Sequence, residues 1–249
     1  LTKQGVHFLE AAGPDGMRIY AIGDIHGRLD LLQRMHACIE AELEADRPDD
    51  WRVIHLGDYV DRGPDSSGVL DRLLDVTRRD ERMIALAGNH DHGFLDFLAY
   101  PTSSGLFAKN GGDMTALSYG MALDFDHPAA LASSGAALRR AVPESHVGFV
   151  TGLGYSRSFG DFFFCHAGIR PGIPLERQNP RDLIWIREEF LYYPHLHPKL
   201  IVHGHTPHPE PEVLANRVDV DTQAYRSGVL TALVIDGLDK RILSVSDRD

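Results

Sequence analysis

The sequence predicts a mixed α/β domain built on two β-sheets. Two observations predict it. The first half alternates short apolar runs with amphipathic stretches of helical period, the pattern of βαβ units and a largely parallel sheet. The later part is instead dense in short strand signals separated by glycine and proline, which calls for a second sheet. With 249 residues, 43% of them hydrophobic and 24% charged, the chain can bury a substantial core. No linker, repeat or low-complexity segment divides it, so residues 1–249 are read as one domain.

In order, "MRIYAI" (Met17 to Ile22) reads as a strand, and Arg28 to Ala45 as a helix with apolar residues at helical spacing. "RPDD" (Arg47 to Asp50) is a turn signal, and "WRVIHLG" (Trp51 to Gly57) is the second strand. Ser66 to Arg79 forms a second helix and Arg82 to Gly88 a third strand. Residues 100–150 are glycine- and serine-rich, with one clear helix from Ser133 to Val142. "YSRSFGDFFFCHAG" is a hairpin turning near Phe159, Gly160 and Asp161. Strands follow at "KLIVHG", "RVDVDT", "GVLTALVIDG" and "RILSV".

Composition narrows the function. A net charge of −11 argues against a nucleic-acid partner, and an acidic protein that handles phosphorylated molecules needs local cations to offset its own field. No run approaches the roughly 18 apolar residues of a membrane span, and no basic segment followed by an apolar core marks a leader. The two cysteines, Cys38 and Cys165, are expected to be buried thiols in a cytoplasmic protein. Cys165 precedes His166, but neighbours on a strand face opposite ways, which disfavours a Cys–His nucleophile.

The strand ends carry the chemistry. Asp24 and His26 follow the first strand in "GDIHG", and Asp58, Asp61 and Arg62 follow the second in "GDYVDRG". Asn89, His90 and Asp91 follow the third in "GNHD", His166 ends the hairpin in "CHAG", and His203 and His205 close "HGHTP". Each fragment alone has a structural reading: Gly-Asp is a common turn pair, and Asp24 or Asp30 can cap a helix. Their joint occurrence, each directly after a strand, points to one edge of an α/β sheet where ligands collect. Carboxylates can bridge two cations, imidazoles select transition metals, and arginine offers a fork that fits phosphate oxygens. A dinuclear centre suits this set, because two ions about 3.5–4 Å apart make hydroxide available at neutral pH.

"GDIHG…GDYVDRG…GNHD…CHAG…HGHTP" resembles the metallophosphoesterase superfamily. More closely, it resembles the PPP class of metal-dependent phosphoprotein phosphatases, in the small bacterial and phage form typified by phage lambda protein phosphatase. "GDYVDRG" is the most specific piece, and "KNGGDMT" (Lys109 to Thr115), "IWIRE" (Ile184 to Glu188) and "VDVDTQA" (Val218 to Ala224) extend the likeness from about residue 18 to about 236. The resemblance implies a sandwich of two mixed sheets flanked by helices. It implies Asp24 and His26 on one metal, Asp58 bridging, and Asn89, His166 and His205 on the second. His90 is then the proton donor, oriented by Asp61, while Arg62, Arg187 and Asn89 meet the phosphoryl group. The cofactors would be two divalent transition-metal ions, manganese first, with iron or zinc as alternatives.

Two positions depart from the pattern. Asp91 stands where many members have glutamate, behind the ligands, and His203 is an extra imidazole taken to be buried behind His205. His195, His197 and His208 are read as surface-loop residues. The implied activity is hydrolysis of phosphate monoesters on phosphoserine, phosphothreonine or phosphotyrosine proteins by a hydroxide bridging the two metals, with a phosphorylated protein or peptide as partner. A dinucleoside polyphosphate (diadenosine tetraphosphate-type) hydrolase shares the same metal motifs and stays open. A phosphodiesterase is disfavoured because Pro207 stands where such enzymes carry a further histidine. A non-catalytic scaffold would have lost ligands that are all present here. The oligomeric state is not legible.

Overall fold

The computed structural model describes residues 5–248. β1 (Met17–Ile22), α1 (Leu29–Asp46), β2 (Asp50–His55), α2 (Ser66–Arg79) and β3 (Met83–Ala85) realise the expected alternation. α1 stops where Arg47 turns left-handed at φ 48° and its N–H bonds the Leu43 carbonyl. α2 starts where the Asp65 carboxylate accepts from the Gly68 N–H. The middle of the chain is helical: α3 (Asn89–Ala99), α4 (Leu106–Lys109), α5 (Gly112–Ser118), α6 (Pro128–Ala141) and α7 (Glu144–Thr151). Then come β4 (Ser156–Phe159), β5 (Phe162–Cys165), α8 (Pro180–Trp185), α9 (Glu188–Leu191), β6 (Leu200–His203), β7 (Glu212–Val213), β8 (Arg217–Asp219), α10 (Ala224–Ser227), β9 (Val229–Asp236) and β10 (Asp239–Ser246).

The strands form two five-stranded sheets, ordered β10-β9-β1-β2-β3 and β4-β5-β6-β8-β7. In the first, β1, β2 and β3 run parallel while β9 and β10 return antiparallel. In the second, β5, β6 and β8 are parallel, flanked by antiparallel β4 and β7. Both sheets are therefore mixed, as expected.

Side-chain alternation sets the layers. Tyr20 and Ile22 of β1 pack under α1 and α2 with Leu31, Met35 and Leu70. Ile19 and Ala21 face the other way, onto Phe162, Phe164, Val202 and Val218 of the second sheet. Phe163, Cys165 and Ile201 then cover the outer face with Leu183, Ile186 and Phe190 from α8, α9 and the link between them. The result is a helix–sheet–sheet–helix sandwich in which each large side chain so buried contributes about 1.5–3 kcal/mol. Among the described residues no helix is long and apolar enough to cross a membrane.

Two single-residue expectations change. Cys38 is exposed, because the buried stripe of α1 runs through Leu31, Leu32, Met35, His36 and Ile39 and leaves position 38 on the solvent face. His197 is buried rather than a surface residue, stacked between the rings of Phe190 and Tyr193 at 5.5 and 5.0 Å. Cys165 is buried as expected and lies in the outer apolar cluster, where burial pushes its thiol well up and leaves it unsuited to nucleophilic work.

A hydrogen-bonded chain crosses the α1–β2 interface. Arg72 Nε donates to His36 Nδ1 (3.2 Å), His36 and His55 share an Nε2···Nε2 bond (2.9 Å), and His55 Nδ1 donates to the Ile84 carbonyl (2.9 Å). Burial lowers His36 to about 2 and His55 to about 4. The unfolded chain takes up protons near pH 6.5 while the native pair does not, so stability falls as pH drops from about 6.5 towards 4. We expect urea unfolding to show roughly 2 kcal/mol lost per imidazole between pH 8 and pH 5. That loss should be smaller by about 2 kcal/mol in His36→Gln; an undiminished loss in the variant would contradict this origin.

Candidate metal centre

Each predicted functional segment leaves the carboxyl end of a strand, as ligand-binding loops of α/β sheets do. Asp24 and His26 follow β1, Asp58 follows β2, Asn89 and His90 open α3 just after β3, His166 follows β5 and His205 follows β6. All six proposed ligands and His90 are buried, at 5% exposure or less.

The loops reach this point through backbone that most side chains avoid. His26, Asp58, Asp61, Arg62 and His205 all take positive φ, between 44° and 71°. Strain of this kind, of order 1–3 kcal/mol per residue, persists only where the surroundings over-determine it, and it gathers at functional sites. Two glycines make the crowding feasible. A Cβ on Gly88 would lie 2.2 Å from the nitrogen and Oδ1 of Asp58, and one on Gly204 would lie 2.1 Å from Asp24 Oδ1.

Hydrogen bonds on the far side of each ring set the tautomers. His26 Nδ1 donates to the Val60 carbonyl (2.7 Å) and His166 Nδ1 to the Leu56 carbonyl (3.1 Å), so each Nε2 presents a lone pair inward. His26 Nε2 lies 3.6 Å from Asp58 Oδ2, and His166 Nε2 lies 3.4 Å from Asp58 Oδ1. Asn89 Oδ1 sits 2.8 Å from both His166 Nε2 and His205 Nδ1. Two compact groups result, His26–Asp58–His90 and Asp58–His166–His205, with Asp58 common to both. Asp24 is in neither; it accepts from the His205 N–H at 3.2 and 3.3 Å and lies 3.9 Å from His166 Nδ1.

The electrostatics favour cations. Burial, then the charges of Asp221 and Asp58, raise Asp24 well above the carboxylate range. Burial alone would raise Asp58 too, but the imidazoles of His166, His90 and His26 outweigh it and hold it well below that range. Burial keeps His26 and His205 well below the ordinary imidazole value, hence neutral. Neutral imidazole, amide oxygen and crowded carboxylate form a donor set that fits divalent transition metals.

His90 differs. Its Nδ1 meets Asp61 Oδ2 at 2.7 Å, and its backbone N–H donates to Asp58 Oδ1 at 2.9 Å. Burial works against its charge, but Asp58 and Asp61 outweigh burial and raise it above the ordinary value. It is thus set up to carry a proton even though it lies among metal-capable groups. Thr115 of α5 completes the support, donating its hydroxyl to Asp61 Oδ1 (2.9 Å) and accepting from the Asp61 N–H (2.8 Å). That role was not read from the sequence, although Thr115 ends the family-like "KNGGDMT".

Asp91 clamps the loops from behind. Its Oδ2 accepts from the N–H groups of Asp58 (3.0 Å) and Gly88 (2.9 Å), and its Oδ1 accepts from Tyr59 N–H (2.9 Å). The shorter carboxylate therefore serves well here; burial and the Asp58 charge push it up to about 7. His203 points away from the centre, with Nδ1 on the Gly204 carbonyl (2.9 Å) and Nε2 facing Arg217 Nη1 (3.3 Å). Arg187, in the link between α8 and α9, donates from Nε to His205 Nε2 (3.1 Å) and from Nη2 to the His205 carbonyl (3.2 Å).

The family model of the calcineurin-like phosphoesterases matches residues 17–232. The chain is 36% identical over 96 residues to serine/threonine-protein phosphatase 1 of Salmonella typhimurium, covering 38% of this chain and 39% of the relative. It is 37% identical over 75 residues to a symmetrical bis(5'-nucleosyl)-tetraphosphatase of Acidovorax sp., covering 30% and 24% respectively. The matched segments thus span well under two thirds of either relative. Among solved structures, one provisionally named a diadenosine tetraphosphatase superposes with a TM-score of 0.64 at 19% identity, over 95% of this chain and 99% of that one. A metallophosphoesterase from Sphaerobacter thermophilus follows at 0.53 and 18%, over 92% and 88%. At these identities the superpositions speak for the fold.

Asp58→Asn keeps the oxygen that accepts from His90 N–H and removes only the charge. We expect elemental analysis after dialysis to find about two metal equivalents in the native protein and neither retained in the variant. A variant that keeps both ions would sink the sharing of Asp58.

Proposed function

The chain belongs to the calcineurin-like phosphoesterase family, and from that premise we propose that it is a metal-dependent phosphoprotein phosphatase acting on phosphate monoesters of serine and threonine, with tyrosine as a further substrate. The observation that carries this reading is the buried His90–Asp61 pair at 2.7 Å, poised beside Asp58. A serine alkoxide is a poor leaving group and needs a proton as the P–O bond breaks, whereas a phosphoanhydride departs without such help. The kinship with serine/threonine-protein phosphatase 1 supports the same substrate class.

In this reading Asp24, His26 and Asp58 would hold one divalent ion, and Asp58, Asn89, His166 and His205 the other. Manganese is the first expectation, and iron and zinc suit the same donors. Such ions would supply a hydroxide nucleophile and offset charge on the phosphoryl oxygens. The protein's own groups do the rest. Arg62 and Arg187 grip the equatorial oxygens and orient the phosphorus, each bringing a planar, permanently charged fork. His90 delivers its Nε2 proton to the departing oxygen, while Asp61 keeps the ring oriented and stabilises its charge. Thr115, which accepts from the Asp61 N–H, fixes that carboxylate in turn through its own hydroxyl.

The dinucleoside polyphosphate reading is favoured by the Acidovorax relative. The two separate on leaving-group dependence. His90→Asn should cost about 10²–10⁴-fold in kcat on a phosphoserine peptide and far less on an aryl phosphate with an acidic phenol. Equal losses would remove His90 from the acid role. The native protein should also turn over phosphopeptide with a higher kcat/KM than diadenosine tetraphosphate; the reverse ranking would transfer the assignment to the tetraphosphatase.

A further inference from the structure

A guanidinium that must grip an incoming phosphoryl group has to be held in place without being neutralised. Elsewhere in the molecule arginines are fixed by carboxylates: Arg18 by Asp46, Arg28 by Asp30, Arg170 by Asp182, Arg217 by Glu212. Among the described residues no carboxylate pairs with Arg62. Its guanidinium lies instead over the ring of Tyr225, 4.7 Å from Cζ to the centroid, and its Nη2 is 3.2 Å from His90 Nε2. The same Tyr225 ring meets His26 edge-on, with centroids 5.4 Å apart and an interplanar angle of 83°.

Both partners are held firmly. The Arg62 backbone, at φ 69°, donates its N–H to the Gly111 carbonyl (3.1 Å). Tyr225 sits in α10, whose preceding residue Gln223 is left-handed at φ 56° and donates its N–H to Asp221 Oδ1 (2.9 Å). Arg28 Nη1 ties down the Ala224 carbonyl at 2.9 Å. The turn that carries Tyr225 is therefore built to present an aromatic face at the rim of the metal centre.

We infer that Tyr225 is the positioning residue for Arg62, its ring orienting the guanidinium as a phosphoryl grip while leaving the full positive charge for the substrate. An aromatic quadrupole attracts a cation without competing as an anion, which a carboxylate in the same place would do. The inference rests on the phosphatase reading above, since it assigns Arg62 to substrate.

The test is steady-state kinetics on an aryl phosphate, with inorganic phosphate as competitive inhibitor, for Tyr225→Ala, Tyr225→Phe and both changes in an Arg62→Ala background. Tyr225→Ala should raise KM and the phosphate inhibition constant together by about 3- to 30-fold, with kcat changed far less and bound metal unaltered. Tyr225→Phe keeps the ring and should restore both constants. In the Arg62→Ala background Tyr225→Ala should add nothing. A fall in kcat with KM and phosphate affinity unchanged, failure of Tyr225→Phe to restore them, or full additivity with Arg62→Ala would overturn the inference. A native protein that hydrolyses no phosphate monoester would instead overturn the reading on which it rests, and titration of inorganic phosphate by calorimetry would still compare the variants.

Discussion

The carboxylate of Asp58 is the point on which this structure turns. It is 2% exposed, its Oδ1 accepts from the His90 N–H, and imidazoles from two sheets approach its oxygens at 3.4 and 3.6 Å. A buried anion is costly unless it is compensated. Here His26 comes from the loop after β1, His90 from α3 and His166 from the second sheet. The His90 backbone N–H is a direct donor, whereas the inward lone pairs of His26 and His166 leave the rest of the compensation to a bound cation. The sandwich can thus be understood as the scaffold that delivers these loops to one carboxylate, with the sheet–sheet core of Ile19, Ile54, Phe164 and Val202 fixing the distance between them.

Holding this arrangement requires more than strand ends. The Asp91 carboxylate joins the Asp58 and Gly88 backbones, so the loops after β2 and β3 move as one body. Left-handed φ at His26, Asp58, Asp61, Arg62 and His205 turns five side chains inward from loops that would otherwise project them to solvent. The accumulated strain is offset by the core beneath. In the proposed reaction the acid, the arginines and the ligands would act on one phosphorus atom, where small misplacements are expensive.

Much of this was legible in the sequence. The first βαβ units were readable because α1 places apolar residues at helical spacing while β1 is a short, nearly continuous apolar run. The hairpin was marked by Gly160-Asp161 between Phe159 and the run Phe162 to Phe164, and the candidate ligand segments by unusual residue types directly after strands. Less legible was the stretch from α3 to α7, where α4 and α5 are too short to show a period and are fixed by tertiary contacts such as Thr115 to Asp61. β7 has two residues and no pattern of its own. Cys38 and His197 were misjudged for one reason: burial of a single side chain depends on which stripe or ring it meets, as His197 meets Phe190 and Tyr193. Thr115 and Tyr225 carry no chemical signal alone. They become informative only when the fold sets them against Asp61 and Arg62.

The central claim is that Asp58 is shared by two cations. The most direct measurement is a crystal structure of the manganese-loaded protein, with the ions located by anomalous scattering. The account predicts two peaks about 3.5–4 Å apart, both within bonding distance of Asp58, one also bound by Asp24 and His26 and the other by Asn89, His166 and His205. A single peak, or two peaks of which only one touches Asp58, would contradict it.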